Sequence, residues 1–151
     1  MIGLPRKTLF IDRDSGGRTF RDIVKAADIN VVLHDEQFDP RTDDHVWLKK
    51  IGKLGFALAT GDIAVERSYL FLTQLRRSNS HVFILCGLNH SSRDARSKCI
   101  IDAYPEIVRL CFGNQGPRLW KQKSGEAIVE VDFKHTLGLL KRYGKSGNIR
   151  M

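Results

Sequence analysis

The sequence predicts an α/β domain in which a mainly parallel sheet is covered by helices. Short apolar runs at residues 8–11, 30–33, 56–59 and 81–86 alternate with segments whose apolar residues recur at helical spacing. Strand, helix, strand, helix at this rhythm requires crossover connections, which pair the strands in parallel and layer the helices over them. Three of the runs also stop on acids: Asp12 and Asp14, then His34-Asp35-Glu36, then Thr60-Gly61-Asp62. Open α/β sheets place their ligands at the carboxyl ends of such strands.

Each element follows in order. Residues 8–11 form a buried strand, and Asp14-Ser15-Gly16-Gly17 a turn. Residues 19–27 are helical, with Phe20, Ile23, Val24 and Ala27 on one face. Residues 30–33 form a β-branched strand, and residues 34–42 a loop containing Pro40. Thr42 is the expected N-cap of the next helix, with Asp43 and Asp44 at the positive end of its dipole. Val46, Trp47, Ile51 and Leu54 give that helix its apolar face, Gly55 ends it, and residues 56–59 form the third strand. A helix over 68–77 and a strand over 81–86 come next. Ser92 opens a long helical stretch to Arg109, in which Pro105 is expected to break the helix or start a new one. After a loop at 114–117, residues 119–123 and 127–133 flank Ser124-Gly125 as a hairpin. Residues 135–143 form a short helix with a basic end, followed by a tail expected to fray. There is no internal repeat and no low-complexity block, so residues 1–151 read as a single domain. Its core spans about 7–133, and a basic helix and tail cover 134–151.

The chain is strongly basic, with a net charge of +8 and a pI of about 9.7. Such a charge favours a polyanionic partner such as nucleic acid, although it speaks to association and not to fold; a merely soluble basic surface is the plainer alternative. The three cysteines, Cys86, Cys99 and Cys111, form no Cys-x-x-Cys pair and sit in apolar surroundings. Buried reduced thiols are expected, not zinc ligands or disulfides. The amino-terminal residues lack the apolar stretch of a secretory leader, and no run is long enough to span a membrane, so a cytoplasmic protein is expected.

Acids gathered at one sheet edge repel unless a cation sits among them. Phosphodiester cleavage assisted by divalent ions needs oxygen ligands, a water nucleophile and a clamp on the phosphate. Asp12 is the first candidate ligand, because it ends a buried strand directly. Asp62 is the second, with Thr60 placed to orient a carboxylate or water, and Asp44 or its neighbour Asp43 would reach in from a helix start. Asp14 and Asp35 are auxiliary. The plainer readings are a helix-capping role for Asp43, solvated loop charges for Asp35, Glu36 and Asp39, and turn hydrogen bonds for Asp14. On the substrate side, Arg13, Arg18, Arg41 and Arg67, with Arg76, Arg77, Arg93 and Arg96, fall mostly in or near the loops after strands, and the guanidinium fork suits phosphate, although a solvated surface charge is the plainer reading of any one of them. Trp47 and Trp120 could stack on bases, but Trp47 lies on an apolar helical face and reads as core. His34, His45 and His90 show no nucleophile–His–acid pattern and read as bystanders.

Taken together, Phe10-Ile11-Asp12-Arg13, His34-Asp35-Glu36-Gln37-Phe38, Asp43-Asp44-x-x-Trp47-Leu48 and Gly55-Phe56-x-Leu58-x-Thr60-x-Asp62 resemble the PIN-like domain family, in particular a compact branch of VapC-type toxins. The closing hairpin around Ser124-Gly125 is similar to that branch, and the resemblance runs from about Lys7 to Phe133. It implies a small three-layer α/β/α sandwich and a Mg²⁺- or Mn²⁺-dependent endoribonuclease. It also implies a toxin–antitoxin pair in which a cognate antitoxin blocks the site. By the same resemblance Asp12 is the first acid, Asp44 (or Asp43) the helix-borne acid, and Asp62 the third, supported by Thr60. For the fourth acid of such nucleases the nearest candidate is Glu66, longer by a methylene, which leaves open whether one metal or two is held. A homodimer through exposed apolar helix faces is a further expectation. Two rival readings stand beside the nuclease. One is a PIN-like module that binds RNA or protein without catalysis. The other is a haloacid-dehalogenase-type phosphatase built on Asp12-Arg13-Asp14-Ser15, which the chain disfavours because no later Gly-Asp-x-x-x-Asp follows Thr60.

Overall fold

The computed structural model describes residues 6–12, 15–39, 41–90 and 92–143, with Asp44 and His45 described by their backbone alone. The expected turn residue Asp14, the substrate-side candidate Arg13 and the tail after Tyr143 therefore lie outside the described residues. Six strands, β1 (Leu9–Ile11), β2 (Val31–Leu33), β3 (Ala57–Thr60), β4 (His81–Leu85), β5 (Arg118–Gln122) and β6 (Val129–Val131), form one sheet in the order β2-β1-β3-β4-β5-β6. All neighbours are parallel except the closing β5–β6 hairpin.

Alternate strand residues point to opposite faces, and each face has its own apolar layer. Leu9, Ile11, Ala57, Ala59, Phe83 and Trp120 pack with α1 (Arg18–Ala26) and α5 (Arg93–Gly113), through Phe20, Val24, Ile100 and Ile107. Phe10, Leu58, Val82, Ile84 and Leu119 pack on the other face. There they meet Trp47, Leu48 and Ile51 of α3 (Asp44–Leu54), Leu72 and Leu75 of α4 (Tyr69–Ser78), and Leu137 and Leu140 of α6 (Phe133–Tyr143). The result is a three-layer α/β/α sandwich. No helix among the described residues is long and apolar enough to cross a membrane.

Several local expectations need correction. The loop expected over 34–42 holds a one-turn helix, α2 (His34–Gln37), because Glu36 Oε1 accepts the Leu33 N–H at 2.9 Å and closes the turn. Thr42 is not the N-cap of α3: its N–H donates to Asp39 O in the preceding turn, and Asp43 takes the cap position without a side-chain bond. Gly55 ends α3 as expected, in the left-handed region at φ 76°. Pro105 does not break α5. An interior proline costs about 3 kcal/mol. Burying Ile100, Ala103, Ile107, Leu110 and Cys111 on one face outweighs it, at roughly 1.5–3 kcal/mol for each large apolar side chain. The hairpin strand β6 is shorter than expected, because Glu126 N–H turns back to Lys123 O and Asp132 caps α6 by accepting the His135 N–H at 3.1 Å. All three cysteines are free thiols; Cys111 is buried, whereas Cys86 and Cys99 are only half-buried.

Where α3 and α4 end, their backbones touch. A Cβ on Gly52 would stand 2.2 Å from the Ser78 carbonyl oxygen, so glycine alone lets these two helices close on one another.

Candidate active site at the carboxyl ends of the strands

Ile11 of β1 pairs with Ala59 of β3 and with Leu33 of β2. The next residues along, Asp12, Thr60 and His34, therefore leave the sheet side by side at its carboxyl edge. Asp12 is half-buried. Thr60 is buried, and its Oγ1 accepts the Asp62 N–H at 3.0 Å. Asp62 is exposed and opens a short 3-10 helix (Ile63–Arg67), its Oδ1 accepting the Ala64 N–H at 3.0 Å. One Asp62 oxygen is thus spent on the turn that presents it.

Two loops at this edge are tied together by a serine. Ser15 N–H donates to Asp12 O at 3.2 Å, and the buried Ser15 Oγ accepts the Gly61 N–H at 2.9 Å. The loop after β1 and the loop after β3 are thereby held in one frame. Gly61 fits only without a side chain, since a Cβ there would lie 2.7 Å from Asn89 Oδ1 and 2.9 Å from the Leu88 carbonyl carbon.

Beside Asp12 opens a cavity of about 510 Å³ lined by Gly16, Gly17, Arg18, Arg21, Leu33, His34, Asp35 and Glu36. Arg21 Nη1 meets Glu36 Oε2 at 2.5 Å across its rim. Partial burial disfavours the charged form of Glu36, but the Leu33 N–H, the Arg21 guanidinium and the Lys25 ammonium outweigh it and hold the carboxyl below the usual range. The amino end of α1 carries no acid in its first turn and no side-chain cap, so its partial positive charge is left for an anion. His34 Nδ1 lies 3.0 Å from Asp35 Oδ1, and its ring is enclosed by Phe10, Phe38 and Trp47 at centroid distances of 5.8–6.0 Å.

A half-buried strand-end acid, a hydroxyl-braced second acid and a cavity with an arginine rim thus share one sheet edge. Residues 8–87 match the family described as PIN like domain, over more than half of the chain. The chain belongs to the PIN-like domain family. The PIN-like match runs from β1 past the end of β4 and takes in Asp12, Asp44 and Asp62. No curated protein and no solved structure matches the chain. The family gives the chain a nuclease-type fold, and its members usually bind divalent ions.

The PIN-like frame brings some expected site residues together and separates others. Asp12, Arg18 and Asp35 line the cavity, while Thr60 ends the adjoining strand and Asp62 follows it. Glu66, the fourth-acid candidate, turns elsewhere: its Oε1 accepts from Lys121 Nζ of β5 at 2.7 Å. Asp43 is exposed at the start of α3, its backbone oxygen accepting from Val46 and Trp47. Asp44 is the first residue of α3, the helix that packs over Phe10. Arg41 is exposed with its Nε 3.5 Å from Asp39 Oδ1, and Arg67 is exposed on the turn after Asp62. Among the described residues no three His, Cys, Asp or Glu side chains gather to hold a metal ion.

Sequence reasoning missed Ser15, Arg21, Glu36 and the placement of His34. The sign available for His34 was its position directly after a β-branched strand, in line with Asp12. For Ser15 and Glu36 no sign was available, because each acts through a partner that only the folded chain brings near.

Proposed function

We propose that this PIN-like domain is a metal-dependent endoribonuclease, a cytoplasmic toxin whose site a cognate antitoxin covers. The observation that carries the nuclease reading is the pairing of Asp12 with the Thr60–Asp62 turn on adjacent parallel strands, locked by Ser15 and Gly61 beside an arginine-rimmed cavity. Asp12, Asp44 and Asp62 are the residues that would hold Mg²⁺ or Mn²⁺. Such an ion supplies an acidified water and neutralises charge building on the scissile phosphate. The chain's own groups do the rest. Thr60 fixes the backbone of Asp62, so that this carboxylate is presented without reorganisation. Arg18, Arg21 and the amino end of α1 orient the phosphate backbone. The net charge of +8 draws RNA to the domain.

The test is cleavage of labelled RNA. Asp12→Asn is expected to lower the rate at least about a hundredfold with an unchanged melting temperature, and a chelator to abolish cleavage until Mg²⁺ or Mn²⁺ is returned. Full activity in chelator overturns the metal-dependent reading.

One observation favours a second reading, a PIN-like module that binds RNA without cutting it. Glu66 is committed to Lys121, which leaves the acid set short. RNA binding that persists in chelator, with no cleavage under any divalent ion, would select that reading.

A further inference from the structure

The helices α3 and α4 carry an unbalanced charge. No acidic residue occurs between Asp44 and Asp62, and none between Glu66 and Asp94. In the same stretches Lys49, Lys50, Lys53, Arg76 and Arg77 are all exposed. None of these five makes an ion pair among the described residues. Elsewhere cations meet carboxylates on the surface, as Arg6 meets Asp28, Lys98 meets Asp102 and Arg118 meets Glu130.

Helix geometry gathers these charges. With Leu48 and Ile51 turned to the core and Gly52 against Ser78, Lys49 and Lys53 fall one turn apart on the outer side of α3. Arg77, exposed on α4, directly precedes Ser78, and Gly52, the chain neighbour of Lys53, packs against the Ser78 backbone. The helix dipole favours cations in a last turn, which accounts for single residues such as Lys53. It gives no reason for Lys49, in mid-helix, or for the lack of any acid to separate the charges. α3 runs from the acid edge, where Asp44 begins it, toward the opposite end of the sheet. At 1.5 Å per residue, Lys53 lies about 14 Å from Asp44 along that axis.

We propose that the outer face of α3 and α4 is an RNA-backbone tract, which holds single-stranded phosphodiester chain away from the acid edge. The occupant is RNA by charge complementarity: exposed, unpaired cations without a shaped cavity suit a repeating phosphate chain read without regard to bases. The role of the tract in cleavage rests on the nuclease reading; its binding does not. In a ribonuclease it would raise affinity for long substrates and leave the chemical step alone.

The test measures fluorescence anisotropy of labelled poly-uridylate in chelator, where binding is read without cleavage. Lys49→Gln/Lys53→Gln/Arg77→Gln is expected to bind at least about tenfold more weakly at ~0.1 M salt, and its log affinity against log salt should be shallower by about 2, as three released counterions on a single strand imply. Arg6→Gln/Lys98→Gln/Arg109→Gln removes equal charge elsewhere on the surface and is expected to stay within about twofold of the parent. Equal losses in both variants, or no loss in the first, overturn the tract. So does displacement of the RNA by poly-glutamate as readily as by unlabelled RNA, which would mark an acidic protein as the partner. On a long RNA that is cut, the first variant should raise KM and leave kcat unchanged. If no RNA is cut at all, the nuclease reading falls, while the binding result decides the tract independently.

Discussion

Ser15 and Gly61 stand 46 residues apart, yet the Ser15 hydroxyl accepts the Gly61 N–H at 2.9 Å in a buried position. This bond sets the spacing between the loop that follows Asp12 and the loop that presents Asp62. Ser15→Ala leaves the Gly61 N–H unsatisfied, at about 1–3 kcal/mol. Denaturant unfolding should show that loss, and RNA cleavage should fall further than the stability change alone explains. Wild-type cleavage by a folded Ser15→Ala protein would detach this bond from the site.

Glu66 and Asp12 should part company on mutation. Because Glu66 is engaged by Lys121, Glu66→Gln is expected to keep cleavage within a few-fold while lowering stability by about 1 kcal/mol. A loss as large as that of Asp12→Asn would return Glu66 to the acids proposed to hold the metal.

His81 makes the fold sensitive to mild acid. Burial is the main reason its pKa is lowered. The Trp120 indole can only donate, so His81 Nδ1 accepts at 3.0 Å and Nε2–H donates to Asn114 O at 3.1 Å, which is the neutral ring. The folded state therefore takes up its proton later than the unfolded chain does. Stability is full above the unfolded value of about 6.5 and declines as pH falls from there to the folded pKa. Urea unfolding across this window should show the decline, and His81→Gln should flatten it.

The thiols should be slow to react. Burial first, then the charges of Asp102 and Cys86, push the Cys99 thiol up to about 11, and burial pushes Cys111 up to about 11. Both are protonated at neutral pH, so alkylation by iodoacetamide should be slow in the native protein and fast in denaturant. Rapid native labelling at Cys111 would show that the α5 face opens.

Much of the fold was legible because β1, β3 and β4 are buried on both faces, and such strands read as short apolar runs between helical patterns. The strand-end positions of Asp12 and Asp62 were legible for the same reason: each directly interrupts or follows such a run. α2 was hidden because a helix of four residues shows no periodicity and hangs on one Glu36 contact. The run through Pro105 was hidden because a local rule was outweighed by burial along α5. Glu66 was the nearest acid after Asp62 for the fourth position that the resemblance implies, while the residue that claims it lies 55 positions away. Long-range partners of polar side chains leave no trace in local spacing.

The Lys121–Glu66 bridge has one more consequence. The hairpin and α6 fall outside the span shared with the family, yet the hairpin grasps the turn carrying Asp62 and α6 rests against it. The hairpin and α6 thus brace the turn that carries Asp62. Cut away, they would leave Glu66 without its Lys121 partner, so the seating of that turn depends on residues beyond the shared span.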